Sequence, residues 1–329
     1  MKILIEQALT RFEAIADQWG SGFGVMVKHS SYVYLWNPPV VTRKPRKSIG
    51  LTLQAITHGN EAGGILALTE CMRLIQGGVV KPEMPLAFVL GNPAAALENR
   101  RFLETDLNRS FGSSDASSLE GQRALHLASL LKQTDYLLDF HQTIETSAQP
   151  FFIFPFTEAA LAFATAAHRE VSVVTHWGKP FSLDGMCTDE FVNYSGGTGI
   201  TIELGKKGFD PYQTSVGLQA ALGAIHYVQQ KLSNQYEPAS VESPLYTWKA
   251  IEHYQEGMEL NEGLYNFQPI NKGEVLGVFG SKDLTARESG WLLFPKYHRD
   301  QLAPRPREIY RIAKRIEARD LGQPGVVGV

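Results

Sequence analysis

Three observations predict an α/β fold: strand-like and helix-like segments alternate, the strands are almost continuously apolar, and the pattern changes to short β pieces beyond residue 233. Unbroken apolar strands belong to sheets buried on both sides. The expected architecture is therefore a mixed, largely parallel sheet with helices on both faces, plus a small C-terminal β domain.

The elements follow in order. Leu4, Ala8, Phe12 and Ile15 recur at helical spacing and predict an amphipathic opening helix over 3–18. Leu51–Ile56 reads as a strand, and the segment from Glu61 to Gln76 as a helix stopped by Gly77-Gly78. Leu86–Leu90 is a second buried strand, ended by Gly91-Asn92-Pro93. Leu119 to Lys132 is expected to be helical, and Tyr136–Phe140 to be a strand. Strand Phe151–Phe154, helix Glu158–Arg169, strand Val171–Thr175, strand Gly199–Leu204 and a long helix from Tyr212 to Leu232 complete an α/β domain spanning 1–232.

Ser233 to Pro238 is polar and reads as a linker. Beyond it, Tyr246–Glu252, Glu274–Phe279 and Gly290–Phe294 are strand-like, separated by turns such as Asn261-Glu262-Gly263 and Asn271-Lys272-Gly273. Residues 239–329 are thus expected to form a β-rich C-terminal domain, a candidate cap over a crevice in the first domain. It would close with a basic helix over 307–319 and a Gly/Pro tail.

Composition excludes several classes. The chain has 329 residues, 43% of them hydrophobic, so a sizeable core is available. A formal charge of −3 with mixed signs offers no basic stripe for nucleic acid or a membrane surface. The N-terminus turns polar too early for a signal peptide, and no apolar run approaches the ~20 residues that span a bilayer. Two cysteines, Cys71 and Cys187, suit a reducing compartment rather than a disulfide framework. A cytoplasmic protein is expected; a homo-oligomer is compatible with the sequence.

The chemistry concentrates at strand ends, where open α/β sheets form their ligand crevice. His58-Gly59-Asn60-Glu61 follows the strand Leu51–Ile56, and His141 follows Tyr136–Phe140. His58 and Glu61, three residues apart, can aim at one ion from a turn that opens a helix. The glycine between them suits a tight bend. Taken alone, the pair divides evenly between a metal clip and a helix-opening turn. His141 supplies the third member of a catalytic zinc set, which takes three protein ligands and a water whose pKa falls to about 7 on the metal. The other seven histidines are read as ordinary core or surface residues.

Glu203 ends an apolar strand in Thr201-Ile202-Glu203-Leu204-Gly205. It is either a general base, passing a proton from water to a leaving nitrogen, or an acid paired with Lys206 or Lys207 at the sheet rim. After the strand 86–90, Arg100, Arg101, Asn108 and Arg109 crowd into one loop. An arginine fork with a nearby amide can grip a carboxylate, and a second arginine can steady a developing oxyanion. The alternative is a solvated loop whose arginines pair with Glu98, Glu104 or Asp106, the preferred reading for Arg100.

Taken together, HGNE at 58–61, GNPxA and RFxxxDLNRxF across 91–111, DFHQT at 139–143 and IELG at 202–205 resemble the succinylglutamate desuccinylase/aspartoacylase family, whose fold is zinc-carboxypeptidase-like. The likeness covers about residues 50–215 and extends loosely into the C-terminal β region. It implies one zinc ion on His58, Glu61 and His141, with Glu203 as catalytic glutamate. It further implies that Arg101 polarises the amide carbonyl and that Asn108 and Arg109 hold the amino-acid carboxylate. The implied activity is hydrolysis of a small N-acyl amino acid, of N-succinyl or N-acetyl type, to a carboxylate and the free amino acid. A metallocarboxypeptidase acting on peptide C-termini is the second reading, and a catalytically silent metal-binding protein the third. Two departures bear on the substrate. Phe102 stands where the family commonly has Tyr. Asn193 lies where aspartoacylases place a further Arg before the catalytic Glu, and no Arg occurs from 170 through 286. The acyl group is left open.

Overall fold

In a computed structural model, residues 1–18, 23–42, 44–177, 181–182, 184–237, 241–298 and 305–321 are described. The opening helix α1 (Lys2–Asp17) buries Ile5, Ala8, Leu9, Phe12 and Ala16, one stripe of an amphipathic surface. A hairpin of β1 (Val25–Ser30) and β2 (Val33–Asn37) follows, then β3 (Ile49–Ala55), α2 (Gly63–Gln76), β4 (Leu86–Leu90), the short α3 (Pro93–Leu97) and α4 (Leu119–Leu131). Next come β5 (Thr134–Thr143), β6 (Phe151–Pro155), α5 (Glu158–Ala167), β7 (Ser172–His176), α6 (Thr188–Tyr194), β8 (Thr198–Lys206) and α7 (Pro211–Leu232). The C-terminal region adds β9 (Leu245–His253), β10 (Met258–Leu260), β11 (Gln268–Ile270), β12 (Val275–Phe279), β13 (Lys282–Thr285), β14 (Gly290–Leu293) and β15 (Glu308–Ile316).

Twelve strands form one mixed sheet in the order β1-β2-β4-β3-β5-β8-β6-β7-β9-β15-β14-β11. Its centre, β4-β3-β5-β8, is wholly parallel. Helices cover both faces, which is why the central strands read as unbroken apolar runs. On one face Leu51, Leu53, Phe88, Leu138, Phe140, Ile200 and Ile202 pack against α1, α2, α5 and α7. On the other, Ala87, Val89 and Leu137 meet α4 and α6. Each fully buried Leu or Phe contributes about 1.5–3 kcal/mol. The two-residue alternation has a consequence for chemistry: Asp139 and His141 share the face of Leu137, opposite Leu138 and Phe140.

The C-terminal β region takes two forms. Strands β9, β15, β14 and β11 continue the main sheet, whereas β10, β12 and β13 make a separate three-stranded sheet. The expected basic helix over 307–319 is a strand instead. Ile309, Ile312, Ala313 and Ile316 do fall at helical spacing, but β15 is paired on both sides, with β9 and β14. A register shift between Ile312 and Ala313 disturbs its alternation, and Tyr310 and Arg311 are buried as well. Two-sided burial and a bulge thus mimic a helical pattern. The helix expected from Glu61 begins two residues later, at Gly63, leaving Glu61 in the preceding turn. Pro238 of the expected linker, and the Gly/Pro tail from residue 322 onward, lie outside the described residues. Among those described, no helix is long and apolar enough to cross a membrane.

Candidate metal and active site

The site is built at the carboxyl edge of the parallel strands. Past the end of β3, the chain bends at Ile56, whose φ of 50° is unusual for a β-branched residue. The bend is held from both sides, because Gly91 N donates to Ala55 O and Asn92 N to Ile56 O, each at 2.8 Å. A strained residue held in this way turns Thr57 and His58 out of the strand. Gly59 then passes so close to α3 that a Cβ there would lie 2.3 Å from Ala96 N. Only glycine fits that approach.

His58, Glu61 and His141 are 4%, 3% and 2% exposed, and one donor atom from each lies within 4.8 Å of the others. Glu61 sits between the two rings. Its Oε1 is 2.8 Å from His58 Nδ1, and its Oε2 is 2.9 Å from His141 Nδ1. His58 Nδ1 makes no hydrogen bond despite that distance. A buried nitrogen and a carboxylate oxygen this close, without a hydrogen bond between them, suit two ligands of one cation. The N, O, N donor set fits a borderline divalent metal.

The outer nitrogens are also held. His141 Nε2 donates to Asp139 Oδ2 at 3.1 Å, and Asp139 in turn accepts from Thr57 Oγ1 at 3.0 and 2.9 Å. His58 Nε2 donates to Asp106 Oδ1 at 3.0 Å. Carboxylates behind both rings fix the tautomer in which Nδ1 faces the ion. Burial disfavours the protonated His141 ring, but Asp139 and Glu61 outweigh it and hold its pKa well above the ordinary value. Burial likewise opposes ionisation of Glu61, yet His58 and His141 keep that carboxyl well below the usual range. A cation at this point displaces the histidine proton rather than adding to it.

Asp106 links the rest of the site. Its Oδ1 also accepts from Asn108 N at 2.9 Å, capping a single 3₁₀ turn, Leu107–Arg109. Its Oδ2 accepts from Arg101 Nε and Nη2 at 3.3 and 3.2 Å. Arg101 Nη1 reaches Glu61 Oε1 at 3.2 Å. Arg101 Nη2 stands 2.7 Å from His58 Nε2, held there by its bonds to Asp106. Burial works against Asp106, but His58 and Arg101 keep it far below the usual carboxylate range.

Glu203 lies on β8 opposite His141, its Cα partner on β5. Part of the side chain is accessible, but Oε2 is shielded and has no hydrogen-bond partner. Burial first, and Glu61 second, push its pKa up to about 8. No ion pair with Lys206 or Lys207 is formed among the described residues, against the rim-pair alternative. The side chains of Asn108 and Arg109 bond instead to the start of α6 and the residue before it. Asn108 Oδ1 accepts from Thr188 N and Oγ1, each at 3.0 Å. Arg109 Nη1 donates to Cys187 Sγ at 3.1 Å, and its guanidinium lies 5.6 Å from the Phe181 ring centre. Arg100 is exposed, with its Nη2 turned to Leu103 O at 3.4 Å.

Sequence reasoning missed three residues. Asp106 was considered only as a counter-charge, Asp139 only as part of a strand. Gln142 gives its backbone N–H to Glu61 Oε2 and, through its side-chain oxygen, caps α2 at Gly63 N. An acid two residues before His141 on an apolar strand was the available signal, since a carboxylate there needs a partner.

A mixed α/β sheet bearing a buried His-Glu-His set at its carboxyl edge, able to hold a metal ion, with an unpaired acid beside it, defines an α/β protein with a candidate metal site. The chain belongs to the succinylglutamate desuccinylase/aspartoacylase family, whose catalytic-domain model matches residues 48–226. It is 34% identical over 266 residues to a succinylglutamate desuccinylase of Pseudomonas syringae pv. tomato, covering 74% of this chain and 78% of that one. With the Serratia proteamaculans succinylglutamate desuccinylase it shares 27% identity over 281 residues, 78% and 82% of the two chains. In fold it is similar to the crystal structure of a Vibrio parahaemolyticus succinylglutamate desuccinylase, with a TM-score of 0.71, 19% identity, and coverage of 93% and 95%.

Proposed function

We propose that this chain is a zinc-dependent deacylase that hydrolyses the amide of a small N-acyl amino acid, of N-succinyl or N-acetyl type, yielding a carboxylate and the free amino acid. The observation that carries the reading is Glu61 held between His58 Nδ1 and His141 Nδ1, with an unpaired Glu203 beside them. Bound by His58, Glu61 and His141, zinc would supply the Lewis acidity that activates water and polarises the scissile carbonyl.

The chain's own groups do the remainder. Glu203 accepts a proton from the attacking water at its shielded carboxylate and returns it to the leaving nitrogen. Arg101, anchored by Asp106, presents its guanidinium to the carbonyl oxygen as negative charge develops there. Asn108 and Arg109 hold the α-carboxylate of the amino acid. Residues 239–329 are assigned as the unit that caps this crevice and keeps peptides out. In support, Arg311 of β15 lies 4.4 Å from the centre of the Phe181 ring that Arg109 also faces.

The test is a release assay on the purified protein with zinc added, across N-acetyl, N-succinyl and N-formyl amino acids, beside a C-terminally unblocked peptide. Release of free amino acid from one acyl series, with no peptide cleavage, is expected. Cleavage of the peptide alone would move the reading to a carboxypeptidase.

A further inference from the structure

The loop bearing Arg101, Asp106, Asn108 and Arg109 has no regular structure before its 3₁₀ turn, yet it must hold four groups in register. Gly59 N donates to Arg101 O at 3.0 Å, and the stretch after Arg101 is held chiefly by one carboxylate. Glu120, in the first turn of α4 and 1% exposed, turns its carboxylate into the loop. Three consecutive backbone N–H groups converge on it: Leu103 N on Oε1 at 2.7 Å, with Glu104 N and Thr105 N on Oε2, each at 3.1 Å. Asn92 Nδ2, at the cap of α3, adds a fourth bond to Oε1 at 3.0 Å. The clasped residues begin two positions after Arg101 and end next to Asp106. A second tether lies at the rim, where Leu119 N donates to Glu104 Oε2 at 2.7 Å.

We propose that Glu120 is a positioning residue for the hydrolytic reaction: its carboxylate clamps Leu103, Glu104 and Thr105, and so sets Arg101 and Asp106 against His58 and Glu61. The inference rests on the deacylase reading of the site. An ionised carboxylate offers the lone pairs that three parallel N–H donors and an amide require, whereas a glutamine would turn its own donor toward at least one of them. Burial works against ionisation here, but the Leu103 amide, Asn92 and the other donors outweigh it and keep the carboxyl below the usual range. No element of regular structure replaces these bonds.

The experiment uses Glu120→Gln in the full chain, with amide exchange across 102–106, zinc content, kcat and KM measured beside wild type. Exchange at 103–105 should quicken at least about tenfold while the central strands stay protected. The value of kcat should fall about 10–100-fold, as for other residues that orient an active group, with zinc still bound at saturation. Loop exchange as slow as in wild type, or kcat within twofold of it, would overturn the proposal. Were this variant to misfold, Glu120→Asp keeps the charge but draws the carboxylate back from the three amides, and should show both effects more weakly. Unchanged exchange and kcat in that variant would likewise count against the clamp. Exchange decides the tether whether or not an N-acyl amino acid is turned over, so a wild type that hydrolyses none of them would refute the deacylase reading separately.

Discussion

His141 and Glu203 are Cα partners on the adjacent parallel strands β5 and β8. A candidate ligand imidazole and a carboxylate without a hydrogen-bond partner on Oε2 thereby leave the sheet at one level and on one face. Glu203 is pinned from its other side by Phe151 of β6, its antiparallel partner. A slip of one residue in β8 would exchange Glu203 with Ile202 or Leu204, which lie in the apolar cluster under α7. The register that buries the core is therefore the register that assembles the site.

Replacing Glu203 with Gln tests this arrangement at its centre. The amide matches the carboxylate in size and its Oε2 position has no partner to lose, so the fold and the three candidate ligands should be retained. A glutamine cannot accept the water proton. Zinc content should stay at one ion per chain while kcat drops about 10²–10⁴-fold. A variant that keeps more than a tenth of wild-type kcat removes Glu203 from proton transfer.

Gly59→Ala addresses the backbone beneath the ligands. The added methyl carbon would meet Ala96 N at 2.3 Å and Ala95 C at 2.4 Å, both main-chain atoms that cannot swing aside. Overpacking of this kind costs about 1–3 kcal/mol, and here relief comes only by moving the His58–Glu61 turn away from α3. Competition with a chelator should show zinc held at least about tenfold more weakly. Equal zinc affinity in the two proteins would mean that the turn relaxes without disturbing its ligands.

The strands that carry the site were legible because both their faces are buried: 86–90 is apolar at every position, and polar residues stand out where such strands end. His58, Glu61 and Glu203 could be noticed for that reason. The segment 308–316 misled because a bulge and two-sided burial place Ile309, Ile312, Ala313 and Ile316 at helical intervals. The hairpin at 25–37 left little trace, since β1 is an edge strand whose Val25 and Val27 are exposed. The roles of Glu120 and Asp106 escaped notice for a different reason. An acid in the first turn of a helix, or before a short turn, has a ready local explanation as a cap or dipole partner. Only the folded chain reveals which distant amides and rings those carboxylates also hold.

Asp106→Asn should separate orientation from ligation. Asp106 accepts from His58 Nε2 and Asn108 N through one oxygen and from Arg101 through the other. Asparagine keeps only one acceptor oxygen and sets a donor against either the imidazole or the guanidinium. A loss of about 10–100-fold in kcat/KM is expected, larger with substrates whose carbonyl depends most on Arg101. Were kcat/KM unaltered, Asp106 would be a helix cap and nothing more.

The C-terminal strands carry a partly buried charge cluster whose pH response can be worked out. Glu308 accepts from Lys296 Nζ at 2.8 Å and from Arg311, whose guanidinium lies over the rings of Phe181 and Trp248. Burial alone would raise the Glu308 pKa, but Arg311 and Lys296 hold it below the ordinary range. A carboxyl depressed in the fold stabilises it above the unfolded value of about 4.3 and loses that effect as pH falls through the folded value. Glu308→Gln leaves two cations without their counter-ion and, with Lys296 partly solvated, should cost about 1–3 kcal/mol at pH 7. Denaturant titrations of both proteins should show the gap narrowing as pH falls through the depressed folded-state pKa of Glu308, where wild type becomes protonated as well. A gap of equal size at every pH down to acid unfolding would assign the effect to packing around Arg311 rather than to the charge of Glu308.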